Sequence, residues 1–187
     1  MSKSLDWLTG NAGVDGERRA KASPELPVLD PADFDPATGT LHWSRFMAIL
    51  EAERSETPGA LLMIDLNSGS GSTEALTGEF QGDVLPLLAQ SIRQAVRAED
   101  LIAHVAGYKF AVLLRGAEQE VAEGAARRIQ ESVDDTLFMT VAGILRLGAD
   151  VGGALYVSPD RRHGEIVEAA KVNLDAARTS TTHVRIQ

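Results

Sequence analysis

The order of apolar segments along the chain constrains the fold more than any other feature. A continuous apolar run comes first, then a pattern of helical period, two short β segments, a second helical pattern and further β segments. These segments lie at 60–66, 84–97, 100–105, 110–114, 117–133 and 137–157. They contain the sequence β-α-β-β-α-β, which is typical of the ferredoxin-like arrangement. We therefore predict an α/β (α+β) fold with a mostly antiparallel sheet and helices on its faces.

Turn signals refine this prediction. Residues 106–109 predict a hairpin turn between the two short strands, and 142–143 predict the turn of an extra β-hairpin formed by 137–141 and 144–157. Helical spacing predicts further helices over 43–54 and 165–178.

The first 34 residues differ from the rest, because most are small, polar or charged and three prolines lie in their last third. Such a stretch buries too little apolar surface to offset its ordering entropy, so we predict a flexible tail over 1–34 and one domain over 35–187. The apolar cluster Leu5-Asp6-Trp7-Leu8 is either a short docking motif or a chance grouping.

Composition excludes several classes of protein. The chain has no cysteine, which excludes disulfides, thiol nucleophiles and cysteine-based metal sites. Its formal net charge of −9 is unfavourable for general nucleic-acid binding. No apolar run approaches the roughly 18 residues of a membrane span, and the start lacks a secretory apolar region. We expect a cytoplasmic protein that binds neither nucleic acid nor membrane.

Several short strings, taken in order, resemble GGDEF domains, the diguanylate cyclase family. The strings are Asp35-x-x-Thr38-Gly39-x-Leu41, Leu62-Met-Ile-Asp65-Leu-Asn67, Arg97-Ala-Glu-Asp100, Ala106-Gly107-Tyr108-Lys109-Phe110, Val151-Gly-Gly-Ala154 and 170–178. Five residues separate Asp100 from Ala106, as in the family's R-x-x-D and G-G-D/E-E-F motifs. The resemblance covers 35–186 and implies a nucleotide-cyclase-like core.

The chain departs from the family at its catalytic positions. The resemblance implies that the third signature residue should be a carboxylate that binds divalent metal together with Asp65, but Tyr108 and Lys109 occupy the acidic positions. One carboxylate facing a lysine does not assemble a two-metal site. We predict that no metal binds and that Lys109 pairs with Asp65 instead.

The nucleotide pocket departs from the family as well. Thr73 stands at the position that the resemblance assigns to a guanine-reading asparagine, and Asp83 lies one residue out of register with another guanine contact. Arg178 replaces a phosphate-binding lysine. We interpret Asp65, Thr73, Asp83 and Arg178 as vestigial positions and predict no catalytic residue.

The R-x-x-D pair, Arg97 and Asp100, is retained. The resemblance implies that this pair binds the product, cyclic di-GMP, and an arginine fork with a carboxylate can read the edges of guanine. Arg93 lies one helical turn before Arg97 and is predicted to supply a second cation. We expect the pair on the surface beside the hairpin. The alternative is an exposed ion pair of no function.

Together these features predict a catalytically inactive receptor for cyclic di-GMP in bacterial signalling. It would bind the ligand at Arg97, Asp100 and Arg93 and pass its occupancy to a protein partner, with a homodimer as one route. Two alternatives stay open. One is a ligand-independent scaffold or dimerisation module, and the other is a domain with residual GTP binding or cyclase activity.

Overall fold

A computed structural model describes residues 27–53, 58–67, 81–141, 143–156 and 162–187. The strands and helices, in chain order, are β1 (Leu41–His42), α1 (Trp43–Glu53), β2 (Gly59–Asn67), α2 (Gln81–Ala95), β3 (Leu101–Ala106), β4 (Lys109–Arg115), α3 (Gln119–Asp134), β5 (Phe138–Thr140), β6 (Gly143–Leu145), β7 (Gly148–Tyr156), α4 (His163–Ala177) and β8 (Val184–Ile186).

Six strands form the main sheet in the order β1-β3-β4-β2-β7-β8. Strand β2 lies at its centre and pairs antiparallel with both β4 and β7, while β1 and β8 add parallel edges. The four inner strands, β3-β4-β2-β7, have the ferredoxin-like order. The predicted mostly antiparallel fold is therefore confirmed.

The sheet is buried on both faces. Alternate residues of β2 point to opposite sides, so Leu62 and Ile64 pack with α2 and α3 while Leu61 and Met63 pack with α1 and α4. This two-sided burial explains why β2 reads as a continuous apolar run rather than as an alternating strand. The functional side chains consequently lie at the ends of the strands.

The second hairpin differs from its prediction. Strands β5 and β6 form a separate two-stranded sheet, and β7 begins at Gly148, where it pairs with Asn67 of β2. A single strand over 144–157 was therefore wrong. An apolar pattern shows that residues are extended but does not show which neighbour they pair with, so the change of sheet between Leu145 and Gly148 leaves no signal.

Residues 27–34, here called the N-terminal strap, pack against the domain. They contain a 3₁₀ turn at Pro31–Asp33, and Leu29 and Phe34 contact the core face that includes α1. Arg45 of α1 fastens the strap, because it donates to the Val28 carbonyl (2.9 Å) and the Asp33 carboxylate (3.2 Å). The 5–8 cluster lies outside the described residues, and the domain boundary at residue 35 stays a prediction.

Within the described ranges, no helix combines the length and apolar character needed to cross a bilayer.

Candidate functional site

The β3–β4 hairpin carries the signature positions at one end of the sheet. Gly107 adopts φ of +56°, a left-handed conformation that glycine accommodates without strain, and so closes the tight turn. Tyr108 is only 8% exposed, and burial raises the pKa of its hydroxyl. Phe110 is completely buried, so it anchors the hairpin to the core.

Asp65, Lys109 and Arg178 form a charge cluster at this turn end. Pairing of Ile64 with Phe110 sets Asp65 beside Lys109, and the Lys109 Nζ lies 3.4 Å from Asp65 Oδ2. The predicted pairing is therefore confirmed. Arg178, just after α4, donates to the same oxygen at 2.5 Å and also to Asp175 at 2.7 Å.

This cluster does not fit a divalent metal ion. A metal at Asp65 would meet two cations already bonded to the carboxylate, and the hard cations Mg²⁺ and Ca²⁺ require several oxygen ligands. Across the parts of the chain that the structure describes, no group of three histidine, cysteine or acidic residues could hold a metal. Lys109 and Arg178 more than neutralise the Asp65 carboxylate, so the described residues of the cluster do not suit a metal that would polarise a phosphate.

Of the two other predicted pocket positions, only Asp83 is among the described residues. Thr73 lies outside the described residues. Asp83 is in the first turn of α2 and accepts a hydrogen bond from the Val141 N–H at 3.1 Å, which ties α2 to the β5–β6 hairpin.

Arg97 and Asp100 lie at the corner between α2 and β3. The prediction that both are surface residues is right for Arg97, which is exposed, and wrong for Asp100, which is 2% exposed. Asp100 Oδ2 accepts a hydrogen bond from the Arg97 backbone N–H at 3.0 Å. A side chain three residues ahead readily bonds a backbone N–H, so the carboxylate turns inward and shapes the corner.

The corner is also farther from the hairpin turn than expected. Asp100 precedes β3 and the turn follows it, so the six-residue strand separates them by roughly 20 Å. The expectation that the two lie side by side is wrong.

Arg93 braces this corner from α2. Its Nη2 donates to the carbonyls of Arg97 (2.5 Å) and Asp100 (3.0 Å). Burial lowers the pKa of Arg93, against the opposing influence of Asp100 and Glu99. A guanidinium that holds two carbonyls fixes the loop, whereas the sequence predicted a second cation for the ligand.

Two residues that sequence reasoning missed connect these elements. Arg128 of α3 donates to the carbonyl of Ala95 at 3.2 Å, which secures the end of α2 just before the corner. His104 of β3 bonds both the Asp35 carboxylate (3.2 Å) and the Gly107 carbonyl (3.0 Å). Neither has a local sequence signal, because each partner except Gly107 is more than 30 residues away.

Comparison with known proteins supports one family. Residues 32–183 match the family described as diguanylate cyclase, GGDEF domain. The bifunctional diguanylate cyclase/cyclic di-GMP phosphodiesterase MucR of Pseudomonas aeruginosa is 30% identical over 70% of the chain, and the probable diguanylate cyclase DgcT of Escherichia coli is 26% identical over 55%. The chain spans only 18% and 24% of these two relatives.

Solved structures agree on the fold. The FimX GGDEF domain of Pseudomonas aeruginosa superposes with a TM-score of 0.70 at 23% identity, covering 83% of this chain and 99% of that one. The DgcB GGDEF domain of Caulobacter crescentus, solved in complex with c-di-GMP, gives 0.71 at 19% identity and covers 86% and 98%. Because the family match takes in most of its 187 residues, the chain belongs to the GGDEF-domain family of diguanylate cyclases.

Proposed function

We propose that this domain does not synthesise cyclic di-GMP but binds it as a receptor in bacterial signalling. The observation that carries the proposal is the charge cluster at the turn end, where Lys109 and Arg178 both hold the Asp65 carboxylate. Two cations on a single carboxylate oppose the metal binding on which the family's chemistry depends. A domain with this cluster retains the fold without the catalytic metal.

The corner supports the binding half of the proposal. The Arg97 side chain is 42% exposed, and its contact with Glu99 is a loose 4.0 Å. Its guanidinium can therefore donate a pair of hydrogen bonds to guanine or to phosphate. Asp100 and Arg93 act behind it by fixing the backbone that presents it.

Isothermal titration calorimetry with cyclic di-GMP tests the receptor role. We expect the full chain to bind and Arg97→Ala to bind at least tenfold more weakly, since one charge-assisted bidentate contact is lost. Lys109→Ala is the matched control, because it removes a cation at the other end of β3 and should leave the affinity unchanged. Absence of binding by the unaltered chain at tens of micromolar would contradict the proposal.

Incubation with GTP and Mg²⁺ or Mn²⁺ tests the proposal that the domain does not synthesise cyclic di-GMP. We expect no cyclic dinucleotide by chromatography after hours at micromolar protein. Formation of the product would show that residual cyclase activity, the third interpretation, is correct.

A second candidate function is a protein-interaction module, and the β5–β6 hairpin favours it. Leu137, Met139, Val141 and Ile144 are between 46% and 88% exposed, and Met139 pairs directly across the hairpin with Ile144. Apolar side chains grouped on one exposed face are typical of interaction sites. Light scattering over a range of concentrations tests self-association, with Met139→Lys expected to abolish any dimer that forms through this face.

A further inference from the structure

A cavity of about 650 Å³ lies beside the corner, between the strap and α2. Leu29 and Phe34 of the strap contribute apolar wall, as do Pro86 and Ala89 of α2, and Ile102 closes one side. The volume falls within the range of small-molecule sites, and most of the lining is apolar with a few polar groups, as in such sites. The strap is fastened at Val28 and Asp33 by Arg45, so it is held above a space that side chains do not fill.

A polar stripe on α2 runs from this cavity to the corner. Gln90, Arg93 and Gln94 line the cavity and are spaced by three and four residues, so they share one helix face. Arg97 continues the same spacing just beyond the helix end. From Gln90 to Arg97 the stripe covers roughly 10 Å, so a single ligand can contact both ends.

We propose that the strap cavity takes one purine base of the cyclic dinucleotide whose other half contacts Arg97. This inference rests on the receptor function proposed above and adds where the base goes. The Asp100 carboxylate bonds the Arg97 backbone and is almost wholly buried, so a base on the outer surface cannot rely on it for recognition, whereas Asp100 does line the cavity. The cavity offers an alternative with both apolar and polar surface.

The lining suits a purine chemically. Glutamine amides both donate and accept hydrogen bonds, which matches a guanine edge that carries acceptors at O6 and N7 and donors at N1 and N2. The apolar walls from Leu29, Phe34 and Ile102 can cover the faces of the ring. Because the strap forms part of the wall, ligand in the cavity would also hold the strap in place.

Calorimetry with cyclic di-GMP on the full chain tests the inference. Gln90 is exposed at the cavity lining, so Gln90→Trp should fill the space and weaken binding at least tenfold. Gln119→Trp is the matched control, because Gln119 is exposed in the first turn of α3 and does not line the cavity. We expect it to bind within twofold of the unaltered chain.

Hydrogen exchange on the unaltered chain gives a second readout that requires no variant. Saturating cyclic di-GMP should slow exchange over 27–41, which includes the hydrogen-bonded amides of Asp33, Phe34 and Gly39. Binding that depends on Arg97 but not on Gln90, or that leaves exchange over 27–41 unchanged, would overturn the cavity while the receptor function stands. No binding at all would overturn both.

Discussion

A basic residue and an aspartate lie near each end of β3, and the two pairs interact in opposite ways. At the turn end, Asp65 lies between Lys109 and Arg178, which come from other elements, so the Asp65 carboxylate is fully paired. At the corner, Asp100 bonds the backbone of Arg97 instead of its guanidinium, which stays exposed. Asp100 follows Arg97 by three residues, and at this spacing a short carboxylate reaches the backbone N–H more readily than it reaches the end of the arginine side chain. The corner therefore keeps a cation available.

The two regions are not isolated from each other. His104 bonds the Gly107 carbonyl at the turn and the Asp35 carboxylate next to the strap. The hairpin turn and the segment around Asp35 are therefore connected through one imidazole.

The largest expected effect comes from the scaffold that supports the turn end. A Cβ on Gly152 of β7 would lie 1.9 Å from the Leu174 nitrogen, so Gly152→Ala must push α4, and with it Arg178, away from the sheet. We expect the free energy of unfolding in urea to fall by about 3 kcal/mol. Gly164→Ala is the control, since its Cβ meets nothing within 4 Å, and it should cost nothing or stabilise.

Alanine substitution of Asp100 and of Asp65 should lower the free energy of unfolding by different amounts. Asp100→Ala leaves the partly buried backbone N–H of Arg97 without its acceptor, and we expect a loss of about 2 kcal/mol in the free energy of unfolding. Asp65→Ala should cost less than about 1 kcal/mol, because Lys109 and Arg178 can return to water. Asp100→Asn retains an amide oxygen and should recover part of the loss. Equal losses for both alanine variants would contradict the difference between a backbone acceptor and a surface ion pair.

Features with a local sequence signal were predictable, whereas contacts that depend on tertiary packing were not. The apolar run of β2, the helical spacing of α2 and the 106–109 turn predicted the ferredoxin-like order, because their signals are local. The Lys109–Asp65 pair was also predictable, since aligned signature strings place both residues on neighbouring strands. The inward turn of Asp100, the bracing by Arg93 and the strap packed under Arg45 were not, because each depends on which backbone groups tertiary packing leaves to be satisfied.

Mg²⁺ binding tests whether the two cations at the turn end of β3 keep a metal away from Asp65. Magnesium at 10 mM should not change the melting temperature of the unaltered chain by more than the experimental error, since Lys109 and Arg178 already pair with the Asp65 carboxylate. Lys109→Glu combined with Arg178→Ala places two carboxylates there. If these two carboxylates bind Mg²⁺ with a Kd near 1 mM, 10 mM Mg²⁺ should raise the free energy of unfolding of the double variant by about 1.4 kcal/mol. Lys109→Ala with Arg178→Ala removes the cations without adding a carboxylate, and a comparable shift in it would exclude the engineered pair as the cause.

The smallest expected effect is the pH dependence of the link between the ends. Burial raises the pKa of Asp35, but hydrogen bonds from the Ala37 N–H, His104 and Thr38 together lower it by more. The net pKa of Asp35 therefore lies below its usual value. A carboxyl with a lowered folded pKa stabilises the domain above the unfolded pKa and loses that contribution as the pH falls through the folded pKa. Asp35→Asn should therefore be less stable than the unaltered chain by under about 1 kcal/mol at pH 7. Urea unfolding from pH 7 to pH 2.5 should show this gap constant down to about pH 5 and closing below pH 4. A gap that persists to pH 2.5 would mean that the charge of Asp35 contributes nothing, and that the link depends on shape alone.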